Sequence, residues 1–151
     1  MPKGPTMKIS VVTRGKSSRD VITISPDASV RDLLSLLAEH NIGAVIVSSK
    51  DGAVDGIVSE RDVVRNLNGD DAVLDAKVQQ IMTAVVQTCE PGHDVDAVMA
   101  QMTEHRIRHV PVVDGDALVG IVSIGDLVKH KISALEFERD QLDSYVHTAQ
   151  T

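Results

Sequence analysis

The hydrophobic and polar positions of the first forty or so residues predict a short strand followed by a helix. A β-branched run at residues 21–24 stops at Pro26, which cannot donate to a strand ladder, so the strand ends there. Ser29 is a residue type that caps helices, and it precedes apolar residues at spacings of three and four: Val30, Leu33, Leu34 and Leu37. This helix has one buried face, and Asn41 and Gly43 mark its end.

The next segment predicts a hairpin and a second helix. Residues 44–47 and 56–58 are β-branched runs, and residues 50–52 between them have the Asp-Gly chemistry of a hairpin turn. Ser59 stands three residues before Asp62, a pattern that caps a helix running from Asp62 to about residue 67. The predicted order is therefore strand, helix, strand, strand, helix.

The same order recurs later in the chain. Residues 21–26 align with residues 86–91, a shift of 65 (86 − 21), and residues 56–59 are identical to residues 120–123, a shift of 64 (120 − 56). The second copy predicts strands at 86–89, 109–113 and 118–122, a helix at 95–105, a turn at 114–116 and a helix from about 125. One unit spans about 47 residues (67 − 21 + 1), too few to cover both faces of its sheet. We therefore expect the copies to pack on one another as a pseudo-two-fold module.

A linker and a tail lie outside the two copies. Residues 68–77 are polar and loop-like, and residues 78–82 predict a short turn of helix. In the tail, apolar residues fall at helical intervals: Ile132, Leu135, Leu142 and Val146. They predict an amphipathic extension of the last helix, which packs either on its own module or on a second subunit. The pattern leaves that choice open, and it assigns no role to residues 1–20.

Composition and charge remove several classes of function. The chain holds one Phe, one Tyr and no Trp, and its 15 basic and 22 acidic residues give a net charge of −7. Because single-stranded nucleic-acid binding uses aromatic platforms and basic grooves, no nucleic-acid partner is expected. Apolar runs are too short for a membrane span, and the first residues lack a signal peptide, so we expect a cytoplasmic protein without a membrane partner. The single cysteine, Cys89, is expected to be buried and unreactive.

The two copies resemble the cystathionine β-synthase (CBS) domain. The resemblance rests on the paired pattern V-x-T-x-x-P, a helix ending in E-H-x-I, V-x-V and G-I-V-S-x-x-D, and it spans roughly residues 21–131. It implies an α/β (α+β) fold of two tandem βαββα repeats, a stand-alone Bateman module, with a C-terminal helix. The expected boundaries are an arm at 1–20, repeat 1 with its linker at 21–77, repeat 2 at 78–131, and a helical tail at 132–151.

The resemblance also implies an adenosine-containing ligand in clefts between the repeats. AMP, ADP, ATP and NAD(H) are the expected ligands, and S-adenosylmethionine is less favoured. In this family the Asp of Ser-x-x-Asp accepts from ribose hydroxyls, and the helix N-terminus favours a phosphate. One cleft would comprise Ser123, Asp126, Ile42, Gly43 and Ala44, with Arg108 or His109 near phosphate. The pseudo-symmetric cleft would comprise Ser59, Asp62, Ile107 and Arg108, with Arg61 as a further phosphate contact.

The two clefts should not be equivalent, and each candidate residue has a structural alternative. Both Ser-x-x-Asp pairs are capping motifs whatever else they do. Gly43 is explained by a helix C-cap, which we favour over close approach of a ligand. The spacing of His105 and His109 resembles that of metal ligands, but the helix ends between them, so no metal site is expected. The alternative for Arg108, His109 and Arg61 is that they are solvated charges on a helix end and a strand edge.

The function predicted from these residues is regulatory. An adenine nucleotide would bridge the repeats of a homodimeric module and shift its conformation for an unidentified regulated protein. The alternative is a ligand-free dimerisation or interaction scaffold, which has no need for ribose-binding chemistry in both copies. No catalytic signature is found, and enzymes with such modules, like inosine monophosphate dehydrogenase, use a separate catalytic barrel, so no enzyme is expected.

Overall fold

The order of strands and helices follows the one that the sequence predicts. The structure, a computed structural model, describes residues 7–14, 21–50, 53–84 and 87–149. Its helices are α1 (Ile9–Arg14), α2 (Val30–His40), α3 (Glu60–Leu67), α4 (Val95–His105) and α5 (Ile124–Ala149). Its strands are β1 (Thr23–Ile24), β2 (Ala44–Val47), β3 (Gly56–Ser59), β4 (His109–Asp114) and β5 (Ala117–Ser123), and 3₁₀ helices lie at Asp71–Asp75 and Val78–Gln80. Most of the hairpin turn predicted at residues 50–52 lies outside the described residues.

The first repeat contains a three-stranded sheet, and the second repeat a smaller one. β2 pairs with β1 in parallel and with β3 antiparallel, which places Ala44 opposite Ser59. β4 and β5 form an antiparallel pair with His109 opposite Ser123. The strand predicted at residues 86–89 is shorter than expected: within the described part of that segment, Cys89 forms an isolated parallel bridge with β4. Residue 86 lies outside the described residues.

Helices α2 and α4 begin at equivalent positions and end in the same conformation. Ser29 caps α2 as predicted, because its Oγ accepts a hydrogen bond from the Asp32 N–H at 3.1 Å. Both helices end in a left-handed residue, Asn41 with φ 52° and Arg106 with φ 55°. Gly43 does not have a positive φ, so its assignment as the helix cap is wrong. Asparagine adopts the left-handed conformation more readily than most residues, and Asn41 therefore ends the helix two positions earlier.

Buried side chains form one core per repeat, and a segment from outside each βαββα unit completes it. The first core includes Val78 of the linker, which is fully buried. The second core includes Ile9 and Val12 of α1, which are also fully buried. We call residues 7–14 and 76–82 the closing segments. The N-terminal arm, to which the sequence assigned no role, therefore belongs structurally to the second repeat over its described part.

The two closing segments make matching backbone hydrogen bonds to the turns that precede α2 and α4. The four bonds, written from N–H to carbonyl, are Val30 to Ala76 (3.0 Å), Val78 to Ala28 (2.8 Å), Val95 to Met7 (2.8 Å) and Ile9 to His93 (2.9 Å). Each segment both accepts from the first residue of a helix and donates to the turn before that helix. The pseudo-two-fold symmetry therefore extends beyond the βαββα units to the segments that close them.

The central strands are buried on both faces. Val45 and Val47 of β2 lie in the first core, and side chains alternate along a strand, so Ile46 points to the opposite face. Ile46 is nevertheless fully buried, and its counterpart in β4, Pro111, is buried as well. Since each repeat fills only one face of its own sheet, the burial of the other faces agrees with the packing of the two repeats on one another.

Gly56 lies where the linker pairs with the first sheet. Thr83 pairs with Ile57 of β3. The Thr83 N–H donates to the Ile57 carbonyl at 2.9 Å, and the Ile57 N–H donates to the Thr83 carbonyl at 2.8 Å. A Cβ at Gly56 would meet Met82 Sδ at 2.7 Å and the Thr83 carbonyl oxygen at 2.8 Å. The equivalent Gly120 has more room, because a Cβ there would meet a Thr13 methyl at 3.4 Å.

Helix α5 is a single helix of 26 residues, which confirms the predicted helical extension of the tail. Its first turns lie against the second repeat, where Leu127 is fully buried. Beyond them, the apolar stripe is exposed: Ile132 is 50% exposed, Leu135 53% and Leu142 65%. The described part of the tail therefore does not pack on its own module.

Removing a buried side chain from α1 should destabilise the second repeat. We expect Ile9→Ala to lower the free energy of unfolding by about 2–5 kcal/mol, since it leaves a cavity in a closed core. Val11→Ala is the matched control, because Val11 lies on the same short helix and is 44% exposed, and it should change stability by less than about 0.5 kcal/mol. Urea unfolding followed by far-ultraviolet circular dichroism measures both. Equal effects of the two substitutions would contradict the role of α1 in the core.

The two equivalent glycines should differ in their tolerance of a methyl group. Gly56→Ala is expected to cost about 1–3 kcal/mol, because its Cβ collides with the Thr83 backbone, which cannot move without breaking the pairing with β3. Gly120→Ala should cost less than about 1 kcal/mol, since only the side chain of Thr13 must shift. The comparison of their midpoints in urea tests the asymmetry, and a larger loss for Gly120→Ala would refute it.

Candidate functional site

The first predicted Ser-x-x-Asp pair lies where β3 ends and α3 begins. Ser59 has an extended backbone, and its Oγ accepts from the Asp62 N–H at 3.3 Å. The Ser59 N–H in turn donates to Asp62 Oδ2 at 2.8 Å. The two residues thus form a reciprocal capping box, as the sequence pattern predicts.

The second pair repeats this arrangement where β5 meets α5. The Asp126 N–H donates to Ser123 Oγ at 3.0 Å, and the Ser123 N–H donates to Asp126 Oδ2 at 3.1 Å. All four residues are partly buried. The sequence repeat is therefore also a repeat of local geometry, with a carboxylate at the N-terminus of a helix in each copy.

The residues that precede β2 and β4 lie directly beside these caps. The Glu60 N–H donates to the Gly43 carbonyl at 3.0 Å, and the Ile124 N–H donates to the Arg108 carbonyl at 2.8 Å. In each copy the first residue of the helix is therefore tied to the residue just before the neighbouring strand. This geometry brings four predicted site residues together at one end of the second sheet: Ser123, Asp126, Arg108 and His109.

The remaining candidates group with the first repeat or with a core. Gly43 and Ala44 lie beside Ser59, since Ala44 is its partner across the β2–β3 ladder. Arg61 is exposed in the first turn of α3. Ile42 and Ile107 are half-buried and pack against the cores of their own repeats. Two expectations stay predictions: that Ile42, Gly43 and Ala44 serve the same cleft as Asp126, and that Ile107 and Arg108 serve the cleft of Asp62.

The chemistry at the two caps suits a ligand that carries hydroxyls and phosphate. A carboxylate offers about four acceptor positions, so a cap bond uses only part of its capacity. The first N–H groups of a helix and its dipole favour an anion nearby. The surrounding charges differ between the copies. Glu60 and Arg61 follow the first cap, whereas Ile124 and Gly125 follow the second, which has Arg108 and His109 alongside.

The Ser-x-x-Asp pattern does not by itself identify a cleft. Ser29 and Asp32 form the same pattern at the start of α2, with the Asp32 N–H donating to Ser29 Oγ. That helix follows a turn and the isolated bridge of Ser29 with Lys77 rather than a strand of a ladder, and Asp32 is exposed. What separates Asp62 and Asp126 from Asp32 is their position at the end of a paired strand.

Sequence reasoning missed an open apolar depression along the start of α5. The depression has a volume of about 450 Å³, is widely open to solvent and is almost wholly apolar. It is lined by Ile124, Gly125, Val128, Lys129, Ile132 and Ser133. The signal that could have revealed it is the spacing of Val128 and Ile132, which extends the apolar stripe of the tail toward the module.

Cys89 is buried, as predicted, in the second core. Loss of hydration raises the pKa of its thiol from the ordinary 9.0 to about 11, so the nucleophilic thiolate is disfavoured. Among the residues that the structure describes, no group of three or more His, Cys, Asp or Glu side chains is placed to hold a metal ion. Nor does any helix in those residues combine the length and hydropathy needed to cross a membrane.

Fold and caps together define a tandem pair of βαββα repeats, of the kind that commonly binds ligands and regulates other proteins. The CBS domain family matches residues 12–69 and 78–133. The chain belongs to this family. A relative, the CBS domain-containing protein YhcV of Bacillus subtilis, is 30% identical over 113 residues, which cover 75% of this chain and 80% of that protein.

Solved structures of the family share the fold. A CBS-domain containing protein of Agrobacterium tumefaciens is 39% identical and superposes with a TM-score of 0.78, covering 87% of this chain and 98% of that chain. The CBS domain pair of protein MJ0100 is 26% identical, with a TM-score of 0.75, and covers 86% of this chain and 99% of that one. That structure contains 5′-methylthioadenosine and S-adenosyl-L-methionine.

Burial of Cys89 should make the module lose stability in alkali. The folded state holds the thiol proton to about pH 11, whereas the unfolded chain releases it near pH 9. The stability that comes from keeping the thiol protonated in the folded state is therefore fully present below pH 9, and it is lost as the pH rises toward 11. Between pH 8 and pH 10 the loss is about 1.3 kcal/mol.

Urea unfolding at both pH values, for the wild type and for Cys89→Ala, isolates this effect. The Cys89→Ala variant, although less stable at pH 8, should lose about 1.3 kcal/mol less between the two pH values. Parallel losses in the two proteins would show that the thiol is hydrated in the folded state.

Proposed function

We propose that this protein is a regulatory module that binds an adenosine-containing ligand in the clefts between its two CBS repeats. The observation that carries the proposal is the duplicated reciprocal cap, Ser59 with Asp62 and Ser123 with Asp126, at the end of a paired strand in each copy. In this proposal Asp62 and Asp126 accept from ribose hydroxyls, and the helix N-termini face phosphate.

Charge makes the cleft at the second cap the stronger phosphate site. Arg108 and His109 lie beside Ser123 and Asp126, whereas Gly43 and Ala44 occupy the equivalent places beside the first cap. Arg61 adds one cation to the first cap, but Glu60 next to it offsets that charge. We therefore expect AMP, ADP, ATP or NAD(H) to occupy the cleft of Asp126 first.

The ligand class also includes sulfonium and thioether nucleosides. The MJ0100 domain pair contains S-adenosyl-L-methionine and 5′-methylthioadenosine, and it shares this fold at 26% identity. S-adenosylmethionine, less favoured from the sequence, is therefore tested on equal terms with the nucleotides.

The proposed unit is a cytoplasmic homodimer that signals ligand occupancy to a regulated protein and does no chemistry itself. The alternative is a ligand-free dimerisation or interaction scaffold. The exposed apolar stripe of α5 fits either function, because such a stripe serves assembly whether or not a ligand binds. Binding and assembly are separable, so the two functions are tested separately.

A thermal-shift panel with AMP, ADP, ATP, NAD(H), S-adenosylmethionine and methylthioadenosine tests the ligand proposal. A ligand at a hundred times its dissociation constant should stabilise the module by about 2.7 kcal/mol. For a protein of this length, that raises the midpoint by about 5–10 °C. If millimolar concentrations of every compound leave the midpoint unchanged, the scaffold function stands instead. Steady release of phosphate from ATP would point to an enzyme.

Substitution of the carboxylates then locates the clefts. Asp126→Ala should weaken calorimetric binding at one site by about tenfold or more, and Asp62→Ala should weaken the other, since each removes a charged acceptor of the ribose. Asp32→Ala is the matched control, because it alters the same motif at α2 without touching either strand end. All three substitutions remove a carboxylate from the first turn of a helix and can lower stability, so the dissociation constants rather than the stabilities of the variants are compared. Unchanged affinity in both site variants would show that the clefts lie elsewhere.

A further inference from the structure

Helix α5 carries an apolar seam, from Val128 to Val146, that its own module leaves partly or largely exposed. The family match ends at residue 133, whereas α5 continues to Ala149. Five large apolar side chains on one face are 37–65% exposed: Val128, Ile132, Leu135, Leu142 and Val146. An apolar seam that is this exposed on a single chain is typical of an interaction surface.

The spacing along the seam is that of a coiled coil. Over nineteen residues (146 − 128 + 1), the positions alternate by four and three, 128, 132, 135, 139, 142 and 146, with Arg139 as the one charged member. This is the a/d pattern of a heptad repeat, which forms a narrow stripe that a second helix covers. Phe137 and Tyr145 are exposed too, but they lie off the stripe.

We propose that α5 pairs in antiparallel orientation with α5 of a second copy of this chain, centred on residue 137. The pairing rests on the homodimer proposed above and specifies the surface and direction of its contact. Val128 then lies opposite the partner's Val146, and Ile132 lies opposite the partner's Leu142.

Arg139 favours the antiparallel direction. A parallel pair would place it against the partner's Arg139 in the middle of the seam, where two like charges would be forced together. In the antiparallel pair it lies opposite the partner's Leu135, within reach of the partner's Glu136. In the monomer Arg139 is 69% exposed, and its guanidinium lies 3.6 Å from the carboxylate of the adjacent Asp140. That exposed contact between neighbours is weak and leaves the guanidinium free to reorient.

The apolar depression at the start of α5 provides the complementary end. Its lining residues all lie on α5, and they include the apolar Val128 and Ile132 and one charged residue, Lys129. The antiparallel register places the partner's Asp143 beside Lys129, so the charges are complementary at both ends of the symmetric pair. A parallel register instead brings Asp143 beside the partner's Glu138, which is repulsive.

The geometry leaves room for the modules. Eighteen residues separate positions 128 and 146, a helix length of about 27 Å. The two modules therefore lie at opposite ends of the helix pair and on either side of its centre. Lys131 keeps its ion pair with Asp96 on α4, at 3.1 Å, so the start of α5 remains attached to its own repeat.

Sedimentation equilibrium of the full-length chain, from low to high micromolar concentration, tests the pairing. Leu142→Ser should raise the dimer dissociation constant by about tenfold or more, because the loss occurs twice in the symmetric pair. Phe137→Ser is the matched control: Phe137 is 64% exposed and Leu142 is 65% exposed on the same helix, but Phe137 lies off the seam. We expect Phe137→Ser to change the constant by less than about twofold.

Charge reversal tests the direction. Asp143→Lys should weaken the antiparallel dimer by about threefold or more, and adding Lys129→Asp in the same chain should restore it. If Asp143→Lys tightens the dimer instead, the helices are parallel and the proposed direction is overturned. Circular dichroism confirms that each variant keeps its helix content.

The outcomes separate this contact from dimerisation itself. A wild-type chain that stays monomeric throughout the concentration range overturns both the homodimer and the helix pair. A wild-type dimer that responds equally to Leu142→Ser and Phe137→Ser leaves the homodimer standing and overturns the pairing through α5. Loss of dimer in Leu142→Ser alone supports the pairing.

Discussion

Four backbone hydrogen bonds close the two repeats of this molecule, two bonds in each repeat. They join each closing segment to the turn before a helix, and they recur with the same donors and acceptors in both repeats. A βαββα unit of this size cannot bury its core alone, so the buried side chains of the closing segments, Ile9, Val12 and Val78, supply what each unit lacks. The first repeat is closed by the linker that follows it, and the second repeat is closed by the arm that precedes the first repeat. Neither βαββα unit is therefore complete without a segment from outside it.

That constraint also shapes the candidate site. The closed cores hold each sheet, the ladders hold Ala44 opposite Ser59 and His109 opposite Ser123, and the caps fix a carboxylate at each strand end. The backbone of the two caps is therefore nearly the same, and their chemistry differs only through side chains. A negatively charged ligand can therefore bind the two clefts with different affinities, although their backbone geometry is nearly the same.

Local patterns were predictable from the sequence, and contacts between distant segments were not. The caps at Ser29, Ser59 and Ser123 depend on residues three apart, so the pattern alone identified them. Gly43 was wrongly predicted as the helix cap because glycine is the commonest residue in the left-handed conformation. In this protein Asn41 and Arg106 adopt that conformation instead. No periodicity could show that α1 closes the second core, since its partners lie some 80 residues away. The mixing of both repeats in one cleft remains a prediction for the same reason.

The position of α1 ahead of the repeat that it completes has a consequence during synthesis. Ile9 leaves the ribosome 84 residues (93 − 9) before its hydrogen-bond partner His93, which is roughly 4 to 17 s at typical elongation rates. During that interval the first repeat can assemble with its own linker, while the apolar face of the arm has no core to enter. A nascent arm that meets the finished second repeat of another chain can form the same hydrogen bonds there, between Met7 and Val95 and between Ile9 and His93. Exchange of arms between chains is therefore the assembly error that this connectivity favours.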